Sequence, residues 1–435
     1  EPVSVLDAAT GKTLQIFEGT EGTEEITFCD GRLYLVIGET HASDSPAVDS
    51  RSAKRRGQKT KPTQKTVAAL DPVSGRWRWR LRSEETVELL PTTLTVGTGR
   101  LFFHNLNHLV CVDADSGRIL WRAARPLSRI RPGWSVPTVV AYQDVVLSAD
   151  RSITGKDKKT QPPAVQWIID IGGGGASGEL IAYSAETGER LWSTPCAEGY
   201  NAPVDVFVAD ELVWVGVTPR RKGPDFLVGR DPHTGEIKRR IDPSRAYTNP
   251  GMPHHRCYRN KATDRFIFGG RAGVELIDLR SGDVHRNQWI RGTCQHGVIP
   301  CNGLLYTPPD SCACFIQAKL PGFKALATGP SRVEKSRAKD EDRLQRGPAY
   351  AERSSVSPLA APGSTSSTLN ADDWPTYRHD AARSGVTPGP VSSQLRLCWK
   401  VGLRGRLSPP TIADGKVFVA SVDAHTVHAL DAVTG

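Results

Sequence analysis

Seven soft ligands gather in the middle of the chain: His254, His255 and Cys257 in PHHRCYRNKATDR, Cys294 and His296 in GTCQHG, and Cys312 and Cys314 in DSCACF. Thiolate and imidazole are the groups that Zn, Cu or Fe select. Residues two apart on a strand, such as Cys312 and Cys314, face the same way, so a transition-metal centre is one reading. Structural zinc sites space their cysteines by about two to four residues, which Cys-x-Cys does not match. Disulfides are the second reading, with Cys257 or Cys294 bridging to Cys312 or Cys314 in a compartment that permits them. Simple burial of the thiols is the third. Five of the nine cysteines, Cys301 included, fall between Pro250 and Ala327, and the odd total leaves at least one thiol unpaired within the chain.

Other residues carry weaker signals. Arg256, Arg259 and Arg291 could hold an anion. Trp134 in RPGWSVP and Trp289 in NQWIRG offer flat surfaces, although packing is the commoner use of such rings. GGGGASG, from Gly172, lacks the Lys and the helix start of a phosphate loop and reads as an insertion.

The elements that must position these residues are announced by a recurring phrase. It reads LDAATGKTL at Leu6, LDPVSGRWRW at Leu70, VDADSGRILW at Val112, YSAETGERLW at Tyr183, RDPHTGEIKR at Arg230, IDLRSGDVHR at Ile277 and LDAVTG at Leu430. Asp accepts from backbone N–H groups shortly after it, and Gly supplies a positive φ, so each copy predicts a hairpin turn. Asp7, Asp71, Asp113, Asp231, Asp278 and Asp431 are therefore structural, since no catalytic acid is needed once per repeat. Trp79, Trp121 and Trp192 follow their glycines by four residues and are expected to pack between neighbouring units.

The spacing is 42 residues from Asp71 to Asp113 and 47 from both Ser184 to Asp231 and Asp231 to Asp278. That is the length of one four-stranded propeller blade. Ahead of the turns stand paired apolar stretches such as ITFCDGRLYLVIGE, VDVFVADELVWVGV and TIADGKVFVASVD, each two strands joined by a tight turn. The fold expected is all-β, a propeller of four-stranded antiparallel blades, seven in number with eight as the alternative. The first residues supply the last two strands of a blade and Leu407 to Gly435 the first three, so the ends are expected to close one ring.

The phrase with its following Trp, preceded by ADGKVFVAS-type strands, resembles the PQQ-like β-propeller repeat. That repeat occurs in quinoprotein alcohol dehydrogenases and in the propeller lipoprotein that assists outer-membrane assembly. PHHRCYRNKAT together with CACF and AKLPGFKALA resembles a subgroup of large bacterial propeller proteins, which implies that these segments meet in space. WPTYRHDAARSG, from Trp374, is similar to the segment that opens such a propeller, and a second propeller starting there is the alternative to ring closure. The quinoprotein branch implies a cofactor covered by a disulfide between adjacent cysteines. No adjacent Cys pair exists in this sequence, so pyrroloquinoline quinone is not carried over.

The resemblance thus implies a noncatalytic extracytoplasmic propeller that binds a protein or polymer on one of its faces, in the periplasm or outside the cell. The alternative is an oxidoreductase, quinoprotein-like or metal-dependent, centred near residues 254–314. Residues 1–329 are read as blades with a basic insertion at 41–66, 330–372 as a charged and then Ser/Pro-rich linker, and 373–435 as further blade strands. The net charge of +9 is concentrated in RSAKRRGQKTKPTQKT, which holds seven Lys or Arg and no acid. Without interleaved aromatics it reads as a solvated loop rather than a nucleic-acid arm. ITGKDKKTQ and PRRKG are smaller insertions of the same kind. No apolar run reaches the length of a membrane span of about 18 residues.

Overall fold

The computed structural model describes residues 1–38, 58–59, 63–155, 165–168, 175–218, 224–247, 257–271, 273–294, 296–309, 320, 322–327 and 372–435. It is the all-β propeller with seven blades that the repeat predicts. Six blades of four antiparallel strands follow one another along the chain, the fifth gaining Val386–Thr387 as a parallel fifth strand. Blade one comprises Thr23–Cys29, Arg32–Ile37, Thr66–Leu70 and Trp77–Leu81; blade two comprises Thr95–Gly97, Arg100–His104, His108–Asp113 and Ile119–Ala124. Blade three is Thr138–Tyr142, Val145–Arg151, Ser177–Ser184 and Arg190–Ala197; blade four is Val206–Ala209, Leu212–Val215, Val228–Arg230 and Ile237–Arg240. Blade five is Lys261–Thr263, Phe266–Gly269, Val274–Asp278 and Val284–Asn287; blade six is Ile299–Cys301, Leu304–Thr307, Phe323–Ala327 and Arg396–Val401. The chain ends add Val3–Leu6 paired with Thr13–Phe17, and a three-stranded sheet of Thr411–Ala413, Lys416–Ser421 and Thr426–Asp431.

Each blade is an antiparallel meander, so its connections alternate between two faces of the ring. The first-to-second and third-to-fourth strand turns share one side, here the turn face. The second-to-third connections and the links between blades share the other, the loop face. The Asp phrase closes the turn face as expected: Asp71 accepts from Val73 and Ser74 N–H at 3.0 Å each, and Asp231 from His233 and Thr234 at 2.9 Å each. Those N–H groups hold both carboxyls below their ordinary range.

One apolar cluster fills each gap between blades. Tyr34, Val67 and Trp79 of blade one pack with Leu101, Phe103 and Val110 of blade two, and equivalent clusters recur up to the C-terminal sheet. The tryptophans staple neighbours together. The indole N–H of Trp79 donates to Ala114 O at 3.0 Å and that of Trp121 to Ala185 O at 3.0 Å. In both cases the ring lies on the turn glycine of the next blade: a Cβ on Gly117 or Gly188 would sit 2.6 Å from indole carbon. The same ring-on-glycine packing joins Trp192 to Gly235 and Trp399 to Gly435.

The segment beginning at Asp372 takes an unexpected course. It enters between the third and fourth strands of blade six and runs among the innermost strands, where it meets every blade. Cys301 Sγ donates to Asp372 O at 2.8 Å, and Trp374 exchanges backbone bonds with Ile412. Ala381 O and Ala382 O accept from Val96 and Ala141 N–H, Val386–Thr387 pairs with Ala262 and Thr263, and Arg378 donates to Val206 O. Arg383 donates to Leu94 O at 2.8 Å and Thr27 Oγ1 at 2.7 Å and forms an ion pair with Glu25. WPTYRHDAARSG, expected from its resemblance to open a propeller, here pins the inner strands together.

Candidate functional site

The loop face at blades five and six holds the described part of the Cys/His cluster. Cys257, Tyr258, Arg259 and Asn260 form the link into blade five, and Arg291, Cys294 and His296 lie in the link from blade five to blade six. Burial fixes this region. Cys257 and Tyr258 are fully buried, Asn260 and Arg291 are each 2% exposed, and His296 is exposed.

Arg291 Nη2 donates to Cys257 Sγ at 2.8 Å. Burial opposes the charge of the guanidinium, yet Cys257, Tyr258 and Cys294 around it raise its pKa above the ordinary value. The structure thus brings Cys257 and Cys294 to one arginine. His254, His255, Cys312 and Cys314 lie outside the described residues. Among the described residues, no group of three His, Cys, Asp or Glu converges as a metal site. Cys301 belongs to the axis instead, through Asp372.

Closer to the axis, a buried cationic layer surrounds one carboxylate. Arg259 Nη1 donates to Thr138 Oγ1 at 2.8 Å and Val204 O at 3.3 Å, bridging blades three and four. Asn260 N–H donates to Asp205 Oδ2 at 3.3 Å, and Lys261 Nζ to Arg259 O at 3.0 Å. Burial pulls the Lys261 pKa down to about 7; Asp205 opposes this, and Arg378 and Arg259 reinforce it. Burial and Arg259 likewise lower Arg378 to about 10. Tyr377 lies between Arg259 and Arg383, whose guanidinium carbons stand 5.5 and 5.4 Å from its ring centre.

Several buried polar atoms on the loop face have no hydrogen-bond partner. They include Asp205 Oδ1, Asn260 Oδ1, Thr307 Oγ1, Asn287 Nδ2, and Nε with Nη1 of Arg151, Arg271 and Arg291. Such groups are uncommon in folded proteins and need a physical explanation. Sequence reasoning singled out Arg259 and Arg291 but missed Lys261, Asn260, Arg271 and Asn287. The run RNK directly after Tyr258 is the available signal, because three polar residues lead into what must be an innermost strand. Of the two candidate platforms, Trp289 packs against the core between blades five and six and Trp134 is half-buried.

The residues present do not fit a quinone at the axis. The inner strands are bridged by the chain itself, and buried Arg378 and Arg383 take the central space, their donors directed to Val206 O, Leu94 O, Thr27 and Glu25. The described residues of the basic insertion of blade one are tied down on the loop face, where Lys65 pairs with Glu24 and Gln64 bridges to Val87. Gln58–Lys59 pairs with Gln166–Ile168, which pairs in turn with Ile130–Pro132.

A family model described as outer membrane protein assembly factor BamB matches residues 63–168. Quinoprotein alcohol dehydrogenase PedH of Pseudomonas putida is 24% identical over 167 residues, covering 34% of this chain. The match spans 24% of the length of that protein. Among solved structures, BamB from Moraxella catarrhalis aligns at a TM-score of 0.42 and 12% identity, over 85% of this chain and 82% of that one. Quinohemoprotein alcohol dehydrogenase from Comamonas testosteroni aligns at 0.44 and 12% identity, over 96% of this chain and 67% of that one.

Proposed function

We propose that this PQQ-like β-propeller is a noncatalytic module that works outside the cytoplasm and binds a protein or polymer partner on its loop face. The observation that carries this reading is the axial segment. Asp372–Thr387 runs among the innermost strands and is bonded to each of the six four-stranded blades and, through Trp374, to the C-terminal sheet. The turn face offers short, closed hairpins, whereas the loop face carries the long connections, which are where binding residues concentrate. Among the described residues, no helix is long and apolar enough to cross a membrane.

A second reading, a metal-dependent oxidoreductase, draws on one observation: Cys257 and Cys294 both border Arg291. Quantifying metal by mass spectrometry and quinone by absorbance on the purified protein separates the two. The scaffold reading expects neither in stoichiometric amount. One equivalent of metal, lost in Cys257→Ser and in the Cys312→Ser/Cys314→Ser pair, would replace it with the redox reading.

A further inference from the structure

Five buried donor nitrogens without partners lie at the loop-face end of blade five: Nε and Nη1 of Arg271, Nδ2 of Asn287, and Nε and Nη1 of Arg291. Packing around Tyr258 gathers their residues. The Tyr258 ring lies on Gly270, where a Cβ would come within 2.2 Å of Cζ, and its hydroxyl donates to Gly273 O at 3.4 Å. Gly273 in turn rests on Asn287, with 2.4 Å from its would-be Cβ to the Asn287 carbonyl oxygen. Arg291 joins through the residue before Tyr258, donating to Cys257 Sγ at 2.8 Å.

These orphans share one polarity, since every one is an N–H donor and four of the five belong to guanidinium groups. Leaving a buried donor unmade costs about 1–3 kcal/mol, and more for a charged one, so the set is costly unless something with acceptor atoms completes it. Glu275 accepts instead from the backbone N–H groups of Arg271 at 2.9 Å and Gly273 at 3.2 Å. An acceptor-only group with several oxygens matches the remaining donors, and arginine forks match such oxyanions in geometry.

We propose that Arg271, Asn287 and Arg291 form an oxyanion site for a sulfate- or phosphate-type group. This deepens the loop-face reading, on which it rests, by giving the partner a chemistry: a polymer bearing anionic oxygens. Charge elsewhere agrees. RSAKRRGQKTKPTQKT, ITGKDKKTQ and PRRKG all lie between second and third strands, those of blades one, three and four, whose facing ends open on the loop face.

The test titrates sodium sulfate into the intact chain at constant ionic strength balanced with chloride, followed by calorimetry and thermal unfolding, with dextran sulfate as the polymer probe. Saturable sulfate binding is expected, weakened about tenfold or more in Arg271→Gln and in Asn287→Ala. Arg271 is half-buried, so its variant is expected to fold even where Arg291→Gln does not. Dextran sulfate binding much tighter than free sulfate would assign the site to a polymer, and equal affinity per sulfate would assign it to a free oxyanion. No saturable binding, or binding unchanged in both variants, overturns the site. That outcome would leave the metal and quinone measurements, and with them the scaffold reading, untouched.

Discussion

The two faces of the ring are built from the same strands but finished differently. On the turn face the connections are short, the Asp carboxylates saturate their own loops, and charge pairs link neighbouring blades. His233 reaches Asp144 at 2.6 Å, Arg280 reaches Asp210 at 2.9 Å, and Arg32 pairs with Asp115. On the loop face the connections are longer and carry the basic and Cys/His-rich stretches of the sequence. Buried polar atoms without partners occur on both faces, but five donor nitrogens of Arg271, Asn287 and Arg291 gather at the loop-face end of blade five, against single atoms of Arg100, Arg230, Asn302 and Arg396 on the turn face. A repeat must satisfy itself at every copy to close a ring, so chemistry is free to accumulate only on the side that the repeat does not police.

The largest effect is expected where the faces meet. Arg383→Ala would strand the partly buried Glu25 carboxylate, 11% exposed, whose pKa burial already raises against the pull of Arg383. A loss of about 3–5 kcal/mol in denaturant unfolding is expected. A loss below about 1 kcal/mol would show that the axial segment does not pin the blades.

The turn face can be tested with two matched glycines. Gly117 has φ +73° and sits against Trp79, whereas Gly11 has φ +69° with nothing within 4 Å of its would-be Cβ. Gly117→Ala is expected to cost about 2–5 kcal/mol, a left-handed backbone penalty plus overpacking. Gly11→Ala should cost only the first part, about 1–2 kcal/mol. Equal costs in urea midpoints would mean that the staple contributes nothing.

On the loop face, Lys261 links stability to pH. Its folded pKa of about 7 lies below the ordinary 10.5, so between those values the unfolded chain binds more protons. Stability should therefore rise with pH through that window and be lowest below it. Lys261→Met should flatten the rise between pH near 7 and about pH 9, as read from urea midpoints. A wild-type profile that is flat or falling there would contradict a buried, charge-destabilised lysine.

The smallest effect belongs to the rim of the turn face. Arg32→Ala breaks a pair whose Asp115 side chain is 74% exposed. A change of about 0–1 kcal/mol is expected, shrinking further in salt.

The sequence made the ring legible because a turn phrase with a fixed period depends on local rules. Asp71, Gly117 and Trp121 do in the structure what their spacing predicts. Of the Cys/His cluster that the sequence singles out, Cys257 and Cys294 lie beside Arg291, while His254, His255, Cys312 and Cys314 lie outside the described residues. What stayed hidden depends on long-range placement. Arg378 and Arg383 sit in a segment that looks like the opening of a propeller, and nothing local says that it will thread the axis. Lys261 and Asn287 carry no motif at all, and they matter only because blade packing buries them.

Hydrogen exchange of the intact chain, with and without dextran sulfate, tests most directly whether the loop face is the working face. Slower exchange is predicted in 257–260 and 288–294, with none in the Asp turns at 113–117 and 231–235. Protection confined to the turns, or no change on either face, would contradict the account.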